Sequence, residues 1–228
     1  MQPHNEAPLI KAQDLTRTYR LGNTEVIGIN QLNFEIAGGE MVVLKGDSGS
    51  GKSTLLSLLA GLDRPTRGEL TVADHDLTRA SDSALTHYRR DVVGMVFQSF
   101  NLMPTLTVLE NASLPGLLAG KPFSRIRSKA EEILNWLGLE NRLTHLPAQL
   151  SGGEMQRAAI ARALINDPAI ILADEPTGNL DSATGNGILK VLEELNRTGQ
   201  TIIMVTHDQR IAQRAGRVIT LSDGKIKS

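Results

Sequence analysis

The chain contains no cysteine. Disulfides and thiolate metal sites are therefore excluded, which fits a reducing compartment. It also lacks a basic excess: 24 Lys and Arg face 25 Asp and Glu, for a formal net charge of -1. A nucleic-acid scaffold would carry a basic surplus or stripe, so no nucleic-acid partner is expected. No apolar run approaches the roughly 18 residues that cross a bilayer. The opening Met1–Glu6 has neither a basic segment nor an apolar core, so no secretory leader is expected. Attachment to a membrane is expected to come through a partner chain. There is no internal repeat and no low-complexity segment.

What is present is an apolar content of 40% in 228 residues. That suits one large α/β domain, or one core with a small insert. Strands are expected at Leu9–Ala12, Leu32–Ile36, Met41–Leu44, Glu69–Val72 and Val92–Phe97. Gly61 reads as a helix C-cap and Pro65–Gly68 as a turn. From about Phe100 to Gln149 the pattern changes. Pro104, Pro115, Pro122 and Pro147 punctuate helical stretches, and Ile126, Ala130, Ile133, Leu134 and Leu137 recur at helical spacing beside Trp136. Beyond it, helices at Gly153–Ile165, Thr184–Asn196 and Gln209–Ala215 alternate with strands at Ala169–Ala173, Thr201–Val205 and Val218–Leu221. That alternation predicts a parallel central sheet.

Gly46-Asp47-Ser48-Gly49-Ser50-Gly51-Lys52-Ser53 fits G-x-x-x-x-G-K-[ST], and Thr54 follows it into an apolar helix. This is a phosphate-binding loop. Glycines let the backbone aim its N–H groups at phosphate oxygens. Lys52 is expected on the β- and γ-phosphates, and the Ser53 hydroxyl on Mg²⁺. The apolar strand Ala169–Ala173 ends in Asp174-Glu175. Asp174 is expected to complete the Mg²⁺ shell and Glu175 to polarise an attacking water. Leu150-Ser151-Gly152-Gly153-Glu154-Met155-Gln156 contains a capping box, Ser151 with Glu154. The box does not explain two glycines at a helix start, where glycine weakens the helix. A helix end with free N–H groups and a serine hydroxyl is also an anion site.

These motifs, with Asp174-Glu175-Pro176-Thr177-Gly178-Asn179-Leu180-Asp181 and Val205-Thr206-His207-Asp208, resemble the nucleotide-binding subunit of an ABC transporter in order and spacing. The resemblance covers nearly the whole chain. It implies a RecA-like phosphate-loop NTPase core, an N-terminal antiparallel β subdomain and a helical insert carrying the signature Ser151-Gly152-Gly153. Residues 1–98 and 151–228 would form the core, and 99–150 the helical unit. It implies ATP and Mg²⁺ as cofactors. Tyr19 would stack on adenine, against the alternative of a core-facing strand residue. Gln98 would touch Mg²⁺ and the water and move with a transmembrane partner. His207 would contact the γ-phosphate, Glu175 would be the catalytic base, and Asp181 would link the two sites of a dimer. A second copy would donate Ser151 and Gly153 to each ATP.

More narrowly, Gly61-Leu62-Asp63, the run Phe97–Asn111, Leu146–Leu150 and Asp174–Asp181 resemble the MacB, LolD and FtsE group, with YbbA-type ATPases similar around Leu143–Gly153. That implies an FtsX/MacB-type permease as partner, at the cytoplasmic face of the inner membrane. The cargo would be lipoprotein, lipid, hydrophobic or peptide in nature. An FtsE-like regulator that moves no cargo is the alternative. Phe97, Phe100, Leu102 and Met103 could form an apolar groove for the partner's helix, or simply core packing. Chromosome-type heads carry a long coiled coil here, yet only about 100 residues without heptads separate Lys52 from Ser151. Ribosome-type proteins carry two cassettes, and a phosphate-loop kinase leaves Ser151-Gly152-Gly153 unexplained. Lys45, Met155, Gly185 and Gly187 depart from the expected pattern, the two glycines by weakening a helix.

Overall fold

A computed structural model describes residues 7–22, 24–206, 212 and 214–227. The first strands are long: β1 (Ile10–Leu21) pairs antiparallel with β2 (Thr24–Ile36) along its length. β4 (Arg67–Val72) and the short β5 (His75–Asp76) complete an antiparallel sheet in the order β2-β1-β4-β5. Only the ends of β1 and β2 were expected as strands. Their remaining halves set single buried apolar residues, Leu15 and Ile29, among exposed polar and charged ones such as Gln13, Arg20, Thr24 and Glu25, so no continuous buried apolar run marks them.

The second sheet runs β10-β9-β3-β8-β7-β6. β3 (Met41–Lys45), β6 (Val93–Phe97), β7 (Ile170–Asp174), β8 (Thr201–Val205) and β9 (Arg217–Ser222) are parallel, and β10 (Lys225–Ile226) is antiparallel at the edge. Both faces of the inner strands are covered, which is why they read as unbroken apolar runs. Val42, Leu44, Leu172 and Ile203 pack with α1 (Lys52–Leu59) and the antiparallel sheet. Val43, Ile171, Ala173, Ile202 and Met204 pack with the helices on the opposite side.

Those helices are α3 (Val108–Leu118), α4 (Phe123–Trp136), α5 (Gly152–Leu164) and α6 (Ser182–Arg197). Ile126, Ala130 and Leu134 form the expected buried stripe of α4, whereas Trp136 is exposed. α3 opens on a capping box, with Thr107 and Glu110 satisfying each other's backbone N–H groups. α2 (Asp82–Asp91) was not foreseen: only Leu85 and Tyr88 of its ten residues are buried. The helix expected over 209–215 falls largely outside the described residues.

Gly187 lies exposed in α6, and a Cβ added there would meet nothing within 4 Å. Gly187→Ala is therefore expected to stabilise the fold by about 1 kcal/mol, the helix cost of glycine. In a thermal melt this corresponds to a rise of about 2–4 °C. A lower Tm would mean that the position carries a constraint beyond helix propensity.

Candidate functional site

Strand register brings the chemistry to one edge. Phe97 pairs with Asp174, Asp174 with Val205, and Leu44 with Val205. The residues that follow these strands therefore emerge together at the carboxyl edge: Gly46, Gln98, Glu175 and Thr206. In open α/β sheets this edge is where ligands bind.

The phosphate loop joins β3 to α1. Gly46 has φ +153°, and a Cβ there would lie 2.3 Å from the Leu221 carbonyl oxygen. Gly51 has φ +102°, and its Cβ would lie 2.4 Å from the Gly28 carbonyl oxygen. Only glycine fits this cradle. Within it Lys52 is 6% exposed. Its Nζ donates to the carbonyls of Gly46 (2.8 Å) and Asp47 (2.7 Å). Asp47, Ser48 and Gly49 are exposed, Ser50 is buried, Ser53 is exposed and Thr54 is half-buried. No side chain caps α1 and no acid lies in its first turn, so its N-terminus is a bare positive dipole end. Lys45 ends β3 half-buried, in register with Thr220.

Asp174 is half-buried at the end of β7. Burial raises its carboxyl above the usual range, and the Lys52 ammonium opposes that shift. Glu175 holds φ at +47°, an uncommon region for a residue with a Cβ. Its N–H donates to Val205 O at 3.0 Å, and its carbonyl accepts from Gly178 N at 3.0 Å. Gln98 Nε2 donates to Asn179 Oδ1 at 3.3 Å, and Asn179 Nδ2 returns a bond to Gln98 O at 3.0 Å. Asp181 caps α6, accepting from Ala183 N, Thr184 N and the Thr184 hydroxyl. That hydroxyl, then the backbone bonds, hold its carboxyl below the usual range. His207 lies outside the described residues.

Tyr19 is half-buried. Its hydroxyl donates to Asp63 Oδ2 at 3.0 Å, the same oxygen that Arg17 Nε reaches at 2.8 Å. The Arg17 guanidinium stands 4.6 Å over the ring. The ring edge and the Thr54 side chain both crowd Gly28, where an added Cβ would lie 2.8 Å from the ring and 2.9 Å from the Thr54 hydroxyl.

Ser151 caps α5 with both halves of the capping box formed. Gly153 packs on Thr184, where an added Cβ would lie 2.4 Å from Thr184 Cγ2. Met155 packs partly buried against the helical core. Arg142 Nε donates to Glu154 Oε1 at 2.7 Å. That bond, then those from Ser151, lower the Glu154 carboxyl from 4.5 to about 2. Because the folded value is depressed, the stabilisation is whole above pH 4.5 and disappears as pH falls toward about 2. Urea unfolding of the parent and Glu154→Gln is expected to show a stability gap that closes over that window. A gap independent of pH would contradict the ionic role of Glu154.

Several residues that position the site were assigned no role from the sequence. Gln156 is fully buried, and its Nε2 donates to Pro176 O at 2.8 Å, with Phe97 O at 3.4 Å. It ties α5 to the segments after β7 and β6. Its place within the signature run was the available clue. Asn179, Asp63 and Arg142 act across 81, 46 and 12 residues. The four groove residues divide: Leu102 packs against the helical core, Phe97 and Phe100 are half-buried, and Met103 is 49% exposed. Beside Phe97 and Asn101 lies a cleft of about 260 Å³ walled by Arg89, Arg90 and Arg162. Its wall is mixed, the three guanidinium groups standing beside Val93, Met95, Pro115 and Ala163.

Residues 29–178 match the protein family described as ABC transporter. The chain belongs to the ABC transporter family. It is an ATP-binding cassette, an α/β phosphate-loop NTPase with an antiparallel β subdomain, and its chemistry is ATP hydrolysis. It is 48% identical over 221 residues to the macrolide export ATP-binding/permease protein MacB of Hyphomonas neptunium, covering 97% of this cassette and 34% of that protein. It thus spans only that minor share of MacB's length. It is 46% identical over 214 residues to an uncharacterized ABC transporter ATP-binding protein of Thermotoga maritima, covering 94% of this chain and 92% of that one. Among solved structures, the ATP-binding cassette MJ0796, a dimer in a post-hydrolysis state bound to ADP and Pi, superposes with a TM-score of 0.88. The identity is 43%, over 96% of this chain and 97% of that one. No helix among the described residues is long and apolar enough to cross a membrane.

Proposed function

We propose that this cassette binds MgATP, closes with a second copy of itself around two nucleotides, and drives an FtsX/MacB-type permease from the cytoplasmic face of the inner membrane. The cargo class is lipoprotein, lipid, hydrophobic or peptide. The observation that carries this reading is the convergence of Gly46–Thr54, Gln98, Asp174 and Glu175 at one sheet edge. The dimeric state of MJ0796 supports the homodimer, and the ATP-binding/permease name of MacB supports the membrane partner.

Each residue has a task in this reading. Lys52 exchanges its bonds to loop carbonyls for bonds to the β- and γ-phosphates. The backbone from Gly46 to Thr54 and the open end of α1 hold the remaining oxygens. Tyr19, fixed by Asp63, offers a ring face to adenine. Ser53, Gln98 and Asp174 supply oxygen donors of the hard type that Mg²⁺ takes. Among the described residues no group of three His, Asp or Glu is placed to hold a metal ion. Held there, Mg²⁺ would offset charge on the phosphates. Glu175 accepts a proton from the water and holds it in line with the γ-phosphate. His207 contacts that phosphate. Ser151 and Gly153 of the second copy close over it, and Asp181 joins the two sites. Residues 1–98 with 151–228 carry the nucleotide, and 99–150 form the helical unit. That unit, with the cleft beside Phe97, receives the permease.

Affinity capture of tagged Glu175→Gln from detergent-solubilised membranes in MgATP, read by mass spectrometry, tests the partner. Co-purification of a permease is expected. Recovery of a homodimer alone, where other membrane complexes survive, would contradict the transporter assignment.

A further inference from the structure

The anion site at the head of α5 already holds an anion. Glu154 Oε2 accepts from Ser151 N and from Ser151 Oγ, each at 2.8 Å. The same Oγ accepts from Glu154 N at 3.3 Å. A serine hydroxyl owns one proton, and here it is donated to Glu154. In the closed dimer proposed above, that hydroxyl faces a phosphate of the nucleotide held by the other copy. Phosphate and carboxylate then compete for a single proton. At hydrogen-bond lengths the two anions would stand about 5–6 Å apart across one oxygen. A bare carboxylate there would repel the ligand that the helix end is built to receive.

The other carboxylate oxygen is taken. Arg142, the last residue of a short 3₁₀ turn over Glu140–Arg142, donates Nε to Glu154 Oε1 at 2.7 Å. The Glu154 side chain is 18% exposed and that of Arg142 41%. The pair is thus partly shielded from water on the carboxylate side, where solvent screening is weaker.

We propose that Arg142 is a positioning residue for ATP hydrolysis: it holds and neutralises the Glu154 carboxylate, so that the Ser151 hydroxyl can turn to the phosphate bound by the opposite copy. The inference rests on the sandwiched dimer. It differs from a simple buttress of the capping box, because charge on Glu154 is what Arg142 answers. Removing that charge therefore makes Arg142 dispensable.

The test uses the full chain in the Glu175→Gln background, with MgATP, and sedimentation to measure dimerisation. Arg142→Gln is expected to weaken the ATP-dependent dimer by about 10-fold or more. Nucleotide affinity of the dilute monomer should change little. Adding Glu154→Gln is expected to restore the dimer to within about 3-fold of the parent. Raising the salt should narrow the gap between Arg142→Gln and the parent, since a like-charge repulsion is screened. In the Glu175 protein, Arg142→Gln should lower kcat more than it raises KM. Arg142→Lys, which keeps the charge and the fold, should stay near the parent. A double variant no better than Arg142→Gln, or a Lys variant as defective as Gln, would overturn the inference. So would an Arg142→Gln protein that dimerises like the parent. A Glu175→Gln parent that does not dimerise in MgATP would overturn the sandwich reading and this inference with it.

Discussion

Glu175→Gln is expected to slow ATP hydrolysis by about 10²–10⁴-fold, the usual contribution of a general base, while MgATP still binds and the ATP-bound dimer accumulates. The carboxylate follows the last residue of β7 at the sheet edge. Its backbone is fixed by the bonds to Val205 and Gly178 in a left-handed conformation. Such a conformation costs about 1–3 kcal/mol and persists where surrounding structure imposes it. Glutamine preserves the size and the backbone bonds, so the fold and the nucleotide site are kept. It removes the one function that matters here, acceptance of a proton from water. Phosphate release in steady state, beside equilibrium binding of nucleotide, separates the two effects. Unchanged turnover would rule out Glu175 as the base.

Lys52→Ala is expected to weaken MgATP binding by about 10–100-fold, the worth of charge-assisted hydrogen bonds. The ammonium is buried within the loop that must wrap the phosphates, and its own bonds end on the Gly46 and Asp47 carbonyls. Its loss leaves those two acceptors without their donor, so a moderate fall in Tm accompanies the loss of affinity. Lys52→Arg distinguishes charge from shape: the larger planar fork does not fit the Gly46–Gly51 cradle, and it should restore little binding. Wild-type affinity in Lys52→Ala would contradict the phosphate-loop assignment.

The parts of the fold visible in the sequence were those where one local pattern suffices. β3, β7 and β8 are buried on both faces, so their apolar runs give the ends to within a residue. Glycine spacing around Lys52 exposes the loop because backbone geometry demands it. The remaining halves of β1 and β2 were hidden, since the buried apolar Leu15 and Ile29 stand singly among exposed polar residues. α2 was hidden because Leu85 and Tyr88 are too few to mark a face. In the site, the residues that meet phosphate or water belong to short motifs. The residues that hold them in place show no role locally, even where, like Gln156, Asn179 and Asp63, they stand inside a short run. Gln156, Asn179, Asp63 and Arg142 gain their partners only when distant segments fold together. The groove at Phe97–Met103 divided for the same reason: apolar side chains alone do not say which of them the core takes.

The central claim is that two copies of this chain close on ATP, the phosphate loop of one against the head of α5 of the other. A crystal structure of Glu175→Gln grown with ATP and Mg²⁺ tests it most directly. The expected result is a two-fold dimer with each γ-phosphate between Lys52 of one copy and Ser151 of the other. Nucleotide bound on the loop of a single copy, with Ser151 still engaged by Glu154 and distant from any phosphate, would contradict it.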